Sequence, residues 1–248
     1  MRLILFAAFL MLATAGGTPA HAACGDGTIK IRAPILSSGD KAEFETHFRR
    51  SLKRVCRWWG ETYDGAFTID IDESRGPSMA LVPAWRGNHG EMLFRAGTVR
   101  LGRAAITHEI AHVLAPNANR FLAEGLAVYI HDDQRGQPAY PNFGKDLTSE
   151  ARRLAPRADI AALERLATPT RLKLPDLDSR DAYIVAGSFV GFLVEQHGME
   201  KFRTLYAMTP LVARERNAGK PERWQKVYEV SLEELTAQWR TAIKQSAR

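Results

Sequence analysis

The 248-residue sequence has little cysteine and no strong excess of charge, and both shortages exclude classes of protein. Its two cysteines, Cys24 and Cys56, lack the CxxC spacing of a zinc cage. The formal net charge is only +6, from 34 basic and 28 acidic residues, so the composition gives no case for a nucleic-acid partner. The sequence also lacks a glycine-rich phosphate-binding loop and a serine in a nucleophile-elbow context.

Long apolar runs are also missing, except for one at the N-terminus that is too short for a comfortable membrane span. An apolar stretch at 3–15 follows an arginine and precedes AHA at 20–22, which has the small-x-small form of a cleavage site. The pattern predicts a signal peptide over 1–22 and an exported, periplasmic or secreted protein with no membrane span. In an exported protein Cys24 and Cys56 are expected to form a disulfide, with two free thiols as the alternative.

The remaining sequence predicts an α+β fold in two parts. Residues 23–102 form a small strand-rich subdomain with one packed helix, and residues 103–248 are mainly helical. The first helix is expected at 41–59, with Asp40 as its N-cap and Gly60 at its end. Strands are expected at 28–35, 67–71, 79–84, 91–94 and 98–101. Helices are expected at 104–115, 120–131, 158–167, 180–197, 199–208, 221–229 and 231–245.

Two stretches stand out within this pattern. The exposed face of the first helix is basic, which suits either a solvated surface or contact with an anionic cell envelope. Its residues are Arg49, Arg50, Lys53, Arg54 and Arg57. The segment 132–147 is rich in Gly, Pro and Asp and is expected to be a long loop. A loop of that length inside a compact domain is often functional.

The chemistry is carried by the sequence His-Glu-Ile-Ala-His at 108–112. Positions i and i+4 lie on one face of a helix, so His108 and His112 can direct two imidazoles at one ion. Zn²⁺ accepts such nitrogen ligands. Glu109 follows the first histidine and can reach a water molecule beside the metal, which is the position of a general base.

A third ligand is expected from the next helix, where Glu124 lies twelve residues after His112. A tight turn at 116–119 would place the two helices side by side, and Gly125 would allow their close approach. A buried glutamate is costly without a partner, and a metal ion supplies one. His131 and Asp132 are the alternatives for the third ligand.

Four motifs carry a resemblance to a known family, and they are HEIAHVL, FLAEGLAVY, AYIVAGSFVGFLVEQHG and SLEELTAQWR. Over residues 98–245 the sequence resembles the peptidase MA-like domain of the gluzincin zinc peptidases. The resemblance implies a zincin-like helical domain with His108, His112 and Glu124 as zinc ligands and Glu109 as catalytic base. It also implies a tyrosine or histidine that donates to the oxyanion, and Tyr183 is the candidate. Tyr129 and His131 compete for that role.

In gluzincins a sheet edge beside the active-site helix lines the substrate cleft. The resemblance offers 97–102 or 92–95 as that edge. The expected function is a zinc-dependent peptidase acting on a peptide or protein. The alternatives are a non-catalytic exported domain with a zinc site, and an envelope-binding module that uses the basic helix.

Overall fold

The computed structural model describes residues 28–60, 63, 65–81, 89–166, 172–212 and 218–246. The expected signal peptide and Cys24 lie outside the described residues, so the leader stays a prediction. Cys56 is disulfide-bonded, which agrees with the expected disulfide as far as the described residues go. The described strands are β1 (Ile29–Arg32), β2 (Ala66–Asp72), β3 (Met79–Leu81) and β4 (His89–Arg95). A small sheet precedes a mainly helical remainder, which confirms the α+β fold class.

The four strands form one sheet in the order β1-β2-β4-β3. Strands β1, β2 and β4 are parallel, and β3 pairs with β4 in the antiparallel direction. Because β4 lies between β2 and β3, the expectation that 92–95 forms an edge is wrong. The edge on that side is β3, which also lies against the helix that carries the HEIAH motif.

Helix α1 (Ser38–Trp59) covers one face of this sheet. Its buried aromatic rings meet those of the strands, with Phe44 against Phe94 and Phe48 against Phe67. The helix begins earlier than expected, because Ser37 and not Asp40 is the N-cap; the Ser37 hydroxyl accepts from the Asp40 backbone N–H at 3.1 Å.

The segment expected as a strand at 98–101 is instead helix α2 (Ala96–Arg100). A strand would place Val99 and Leu101 on the same face, yet Leu101 is 68% exposed. Ala96 is fully buried and Val99 packs against the core, and this spacing of three suits one helical turn. The same finding excludes 97–102 as a sheet edge.

The remaining helices agree with the expected set except for one addition. They are α3 (Ile106–Leu114), α4 (Arg120–Asp133), α5 (Leu147–Leu154), α6 (Ile160–Arg165), α7 (Ser179–His197), α8 (Met199–Tyr206), α9 (Glu222–Tyr228) and α10 (Leu232–Gln245). Helix α5 was not expected, because its charged residues obscure a short apolar face formed by Leu147, Ala151 and Leu154. No described helix is long and apolar enough to cross a bilayer.

Helix α4 is the central element of the helical part, since it packs against both α3 and α7. The contact with α7 is close at Gly125: a Cβ atom there would lie 2.7 Å from the Ala186 carbonyl oxygen and 2.7 Å from Val190 Cγ2. The close helix approach expected at Gly125 is therefore made to α7. The buried side chains of sheet and helices form one continuous core.

Candidate metal centre

The HEIAH motif lies on helix α3, in the interior of the protein. All of its residues except His112 are buried, and His112 itself is only partly exposed. The helix ends at Leu114, where the Tyr206 hydroxyl donates to the Ala115 carbonyl at 2.7 Å and so satisfies one of the free carbonyl groups at the helix end. The two histidines consequently project from a short, rigid and enclosed helix.

Helix α4 brings Glu124 to the same place, and a buried polar cluster fixes where this helix begins. The Asn119 side chain accepts from the Leu122 backbone N–H at 3.0 Å and so caps α4. Its amide nitrogen donates to Glu164 Oε1 at 3.0 Å, and Glu164 is paired with the buried Arg223. No sequence pattern predicts this cluster, because its members are far apart in the chain.

Three candidate ligand atoms converge at nearly equal distances. His108 Nε2 lies 3.1 Å from His112 Nε2, and Glu124 Oε2 lies 3.2 Å and 3.3 Å from the two nitrogens. Ligands at 2.0–2.1 Å from a tetrahedral zinc ion are separated by about 3.3 Å. The triangle thus has the size that a zinc ion requires.

The bonding at the triangle also fits a cation. Glu124 Oε2 is buried, and in the described part of the chain no donor makes a well-aligned hydrogen bond to it; its polar neighbours are the two imidazole nitrogens. A buried carboxylate oxygen without a donor is costly. A metal ion bound by His108, His112 and Glu124 would remove this cost, so the residues present fit such a group.

The charges of the triangle reinforce one another. Burial alone would raise the pKa of Glu124, but the two imidazoles outweigh burial and hold that pKa well below its usual range. Burial lowers the pKa of His112, and the Glu124 carboxylate more than offsets this, so the net direction is upward. Glu109 is 5% exposed, and burial raises the pKa of its carboxyl group. A raised pKa favours a carboxylate that takes up and returns a proton near neutral pH.

Arg120 is a member of the site that was missed from the sequence. Its Nη2 donates to Glu124 Oε1 at 2.8 Å and to the Tyr183 hydroxyl at 2.8 Å. The Tyr183 ring lies on that of His108, with centroids 6.5 Å apart. Burial, followed by the Glu124 charge, raises the pKa of Tyr183, so its hydroxyl keeps its proton. The i, i+4 spacing of Arg120 and Glu124 was the available signal.

The competing candidates are held elsewhere. Tyr129 donates to Glu195 Oε1 at 3.1 Å. His131 Nε2 lies 2.7 Å from the Gln137 carbonyl oxygen, and burial lowers the pKa of His131 to about 4. Asp132 accepts from Asn142 at 2.7 Å. None of the three belongs to the group of metal-binding side chains that the described residues bring together.

The 134–146 segment is a loop, as expected, and reaches the site through Tyr140. The Tyr140 ring packs edge-on against Tyr183, with centroids 5.7 Å apart. Burial and then nearby carboxylates, Glu124 among them, raise the pKa of Tyr140 to about 12. The loop therefore forms part of the wall around the three converging ligand atoms.

Comparison with known proteins gives one kind of match. No family model matches the chain, and no curated protein matches it. Among solved structures, the M1 zinc metallopeptidase from Deinococcus radiodurans is 16% identical, with a TM-score of 0.44 over 88% of this chain and 49% of that chain. Its E323A mutant bound to a Tyr-Ser-Ala substrate is 18% identical, with a TM-score of 0.44 over 84% of this chain and 45% of that chain.

The chain thus spans about half the length of the solved structures it matches. A likeness of this degree concerns the backbone alone. The chemistry of the site therefore has to be inferred from the residues of this chain.

Proposed function

We propose that the protein is a zinc-dependent peptidase with His108, His112 and Glu124 as metal ligands. The observation that carries this proposal is the triangle of His108 Nε2, His112 Nε2 and Glu124 Oε2, with sides of 3.1–3.3 Å. Glu109, next to the first ligand and buried in the same site, adds the group that hydrolysis needs and a purely structural metal site does not.

The chemistry divides between the ion and the protein. A bound Zn²⁺ supplies Lewis acidity, which makes water a nucleophile near neutral pH and stabilises negative charge on a carbonyl oxygen. Glu109 takes the proton from the attacking water and later delivers it to the nitrogen of the leaving amine. Burial keeps the Glu109 carboxylate poorly solvated, and this makes it a better base.

Tyr183 is proposed to donate a hydrogen bond to the oxyanion. Arg120 is a donor only, so the Tyr183 oxygen must accept from it. The phenolic proton then has to point away from Arg120. Glu124 competes for that proton as a hydrogen-bond acceptor, and we propose that a reacting carbonyl oxygen replaces it. The arginine thus orients the proton of Tyr183 while it holds the ligand Glu124.

The substrate is proposed to be a peptide segment in extended form. Strand β3 is the antiparallel edge of the sheet and lies against α3. An edge strand has backbone N–H and C=O groups free to pair with another extended chain. This geometry supports β3 as the edge that the family resemblance implies.

The test compares the wild-type protein with the Glu109→Gln and Glu233→Gln variants. Glu233 lies exposed on α10, so its variant is a matched control for the loss of one carboxylate. Wild-type protein with zinc should cleave a denatured protein substrate, a chelator should abolish cleavage, and added zinc should restore it. Glu109→Gln should bind one zinc per chain but cleave at least about a hundredfold more slowly.

The outcomes separate the candidate functions. A Glu109→Gln variant that cleaves as fast as Glu233→Gln would overturn the role of Glu109. A wild-type protein that binds zinc but cleaves nothing would indicate a non-catalytic zinc domain. A chain that binds no zinc would refute the metal site itself.

We also propose that the protein works outside the cytoplasm, as the N-terminal sequence indicates. N-terminal sequencing of the protein recovered from the periplasm or medium of an expressing bacterium should begin at Ala23. Recovery of a chain that still begins at Met1 would contradict the proposed export.

A further inference from the structure

A row of aromatic rings runs from the metal site to the surface. Successive centroids from His108 through Tyr183 and Tyr140 to Phe143 are 6.5, 5.7 and 6.1 Å apart. Exposure increases along the row: His108 is 7% exposed, Tyr140 40% and Phe143 49%. The last two rings are supplied by the 134–146 loop and extend the row outward from Tyr183, which lies at the proposed reaction centre.

The loop that presents these two rings is firmly held. Asn142 is buried and donates both to Asp132 and to the Lys145 carbonyl, at 2.7 Å each. Arg180 of α7 donates to the Pro141 carbonyl at 2.9 Å. Pro141 and Asn142 lie between the two exposed rings in the chain, so these contacts hold both rings in place and the loop forms a preorganised wall.

The two exposed rings are unfavourable for the free protein. Contact of apolar ring surface with water is unfavourable, and Tyr140 and Phe143 are among the few large apolar residues that the described chain exposes. Phe143 also has a φ of 52°, a left-handed conformation that bulky residues rarely adopt. Backbone strain of this kind, in a loop that reaches the proposed site through Tyr140, points to a functional use.

We propose that Tyr140 and Phe143 bind an aromatic or large aliphatic side chain of the peptide residue next to the cleaved bond. This rests on the proposed peptidase function and adds its substrate preference. Apolar and aromatic side chains pack favourably on such rings. An acidic side chain is disfavoured, because the Asp178 carboxylate already acts on the Tyr140 hydroxyl.

The first arm of the test measures cleavage of internally quenched alanine peptides that carry Phe, Ala or Asp on either side of the cleaved bond. Zinc-loaded wild-type protein should prefer Phe over Ala at one of these positions by about tenfold in kcat/KM. The Tyr140→Ala/Phe143→Ala double variant should lose most of that ratio, and Tyr140→Phe should keep it. Leu101→Ala, which removes another exposed side chain, should also keep the ratio.

The second arm measures binding without turnover. Calorimetry with zinc-loaded Glu109→Gln should give a Kd about tenfold lower for the Phe peptide than for the Ala peptide, and adding Tyr140→Ala and Phe143→Ala should remove the difference. Circular dichroism and zinc content establish that each variant is folded and loaded.

The two arms distinguish an error in the proposed binding role of Tyr140 and Phe143, called the wall, from an error in the proposed peptidase function. Cleavage without a Phe preference, or with a preference that survives the double variant, would refute the wall alone. Absence of cleavage combined with binding that depends on Tyr140 and Phe143 would refute the peptidase function and leave the wall supported. Equal binding of the Phe and Ala peptides would also overturn the inference.

Discussion

Replacement of Gly125 by alanine tests whether the contact between α4 and α7 controls the metal site. An added Cβ would lie 2.7 Å from the Ala186 carbonyl oxygen, whereas ordinary contacts begin at 3.4 Å. The helices must therefore separate locally by 3.4 − 2.7 = 0.7 Å. The obstacle is backbone, so a side-chain rotation cannot relieve it.

The size of the effect follows from two opposing contributions. Alanine in place of glycine inside a helix normally stabilises it by about 1 kcal/mol. Overpacking of a well-packed core costs about 1–3 kcal/mol. Because the clash is with a main-chain carbonyl, we expect the cost to be near the upper end and the net loss of stability to be about 1–2 kcal/mol.

The site should respond as well. Gly125 adjoins Glu124, and Ala186 lies one turn after Tyr183 on α7. Separation of the helices would stretch the 2.8 Å hydrogen bond from Arg120 to the Tyr183 hydroxyl and shift the ligand Glu124. Disturbance of groups that orient metal ligands lowers metal affinity by about tenfold or more.

The assay is urea unfolding of the metal-free protein, followed by zinc titration against a competing chelator. Gly97→Ala is the matched control, since an added Cβ there meets nothing within 4 Å. The control should be as stable as the wild-type protein or more so, with unchanged zinc affinity. If Gly125→Ala behaved like Gly97→Ala in both measurements, the packing argument would be refuted.

Two further predictions concern charged and titratable groups. Arg120→Gln should weaken zinc binding by about ten- to a hundredfold in chelator competition, because Glu124 and Tyr183 lose their common donor. The control is Arg49→Gln, from an exposed i, i+4 pair with Glu45, which should leave zinc binding unchanged. Equal losses of zinc affinity in the two variants would contradict the role of Arg120. His131 has a pKa of about 4 in the folded protein, against an ordinary value of 6.5. Its contribution to the free energy of unfolding is therefore complete above pH 6.5 and is lost as pH falls toward 4. The difference of about 2.5 units corresponds to about 3 kcal/mol. Urea unfolding of the metal-free protein across this range should show a steeper loss for the wild type than for His131→Gln, and parallel curves would contradict the prediction.

Sequence patterns predicted helices and strands correctly where residues within the element itself determine its conformation. The last helix begins within one residue of its expected start, because the Ser231 hydroxyl caps it by accepting from the Glu234 backbone N–H at 3.1 Å. Helix α7 was expected within one residue of its observed start, because its long apolar pattern leaves little choice. The prediction of a strand at 98–101 was wrong because four residues fit a strand and a helical turn equally well. Only packing against the core decides between the two.

The sequence by itself determined that two imidazoles share one helix face, since i, i+4 spacing fixes the relation between His108 and His112. It also indicated Glu124, because a short turn leaves the following helix little freedom to go elsewhere. Tertiary structure alone decided which strand forms the sheet edge and which groups surround the ligands. Arg120 meets Tyr183 only because Gly125 lets α4 approach α7, and Tyr140 reaches the site only because its loop is fastened to both helices. Such contacts depend on distances between elements, which helical and strand periodicity does not encode.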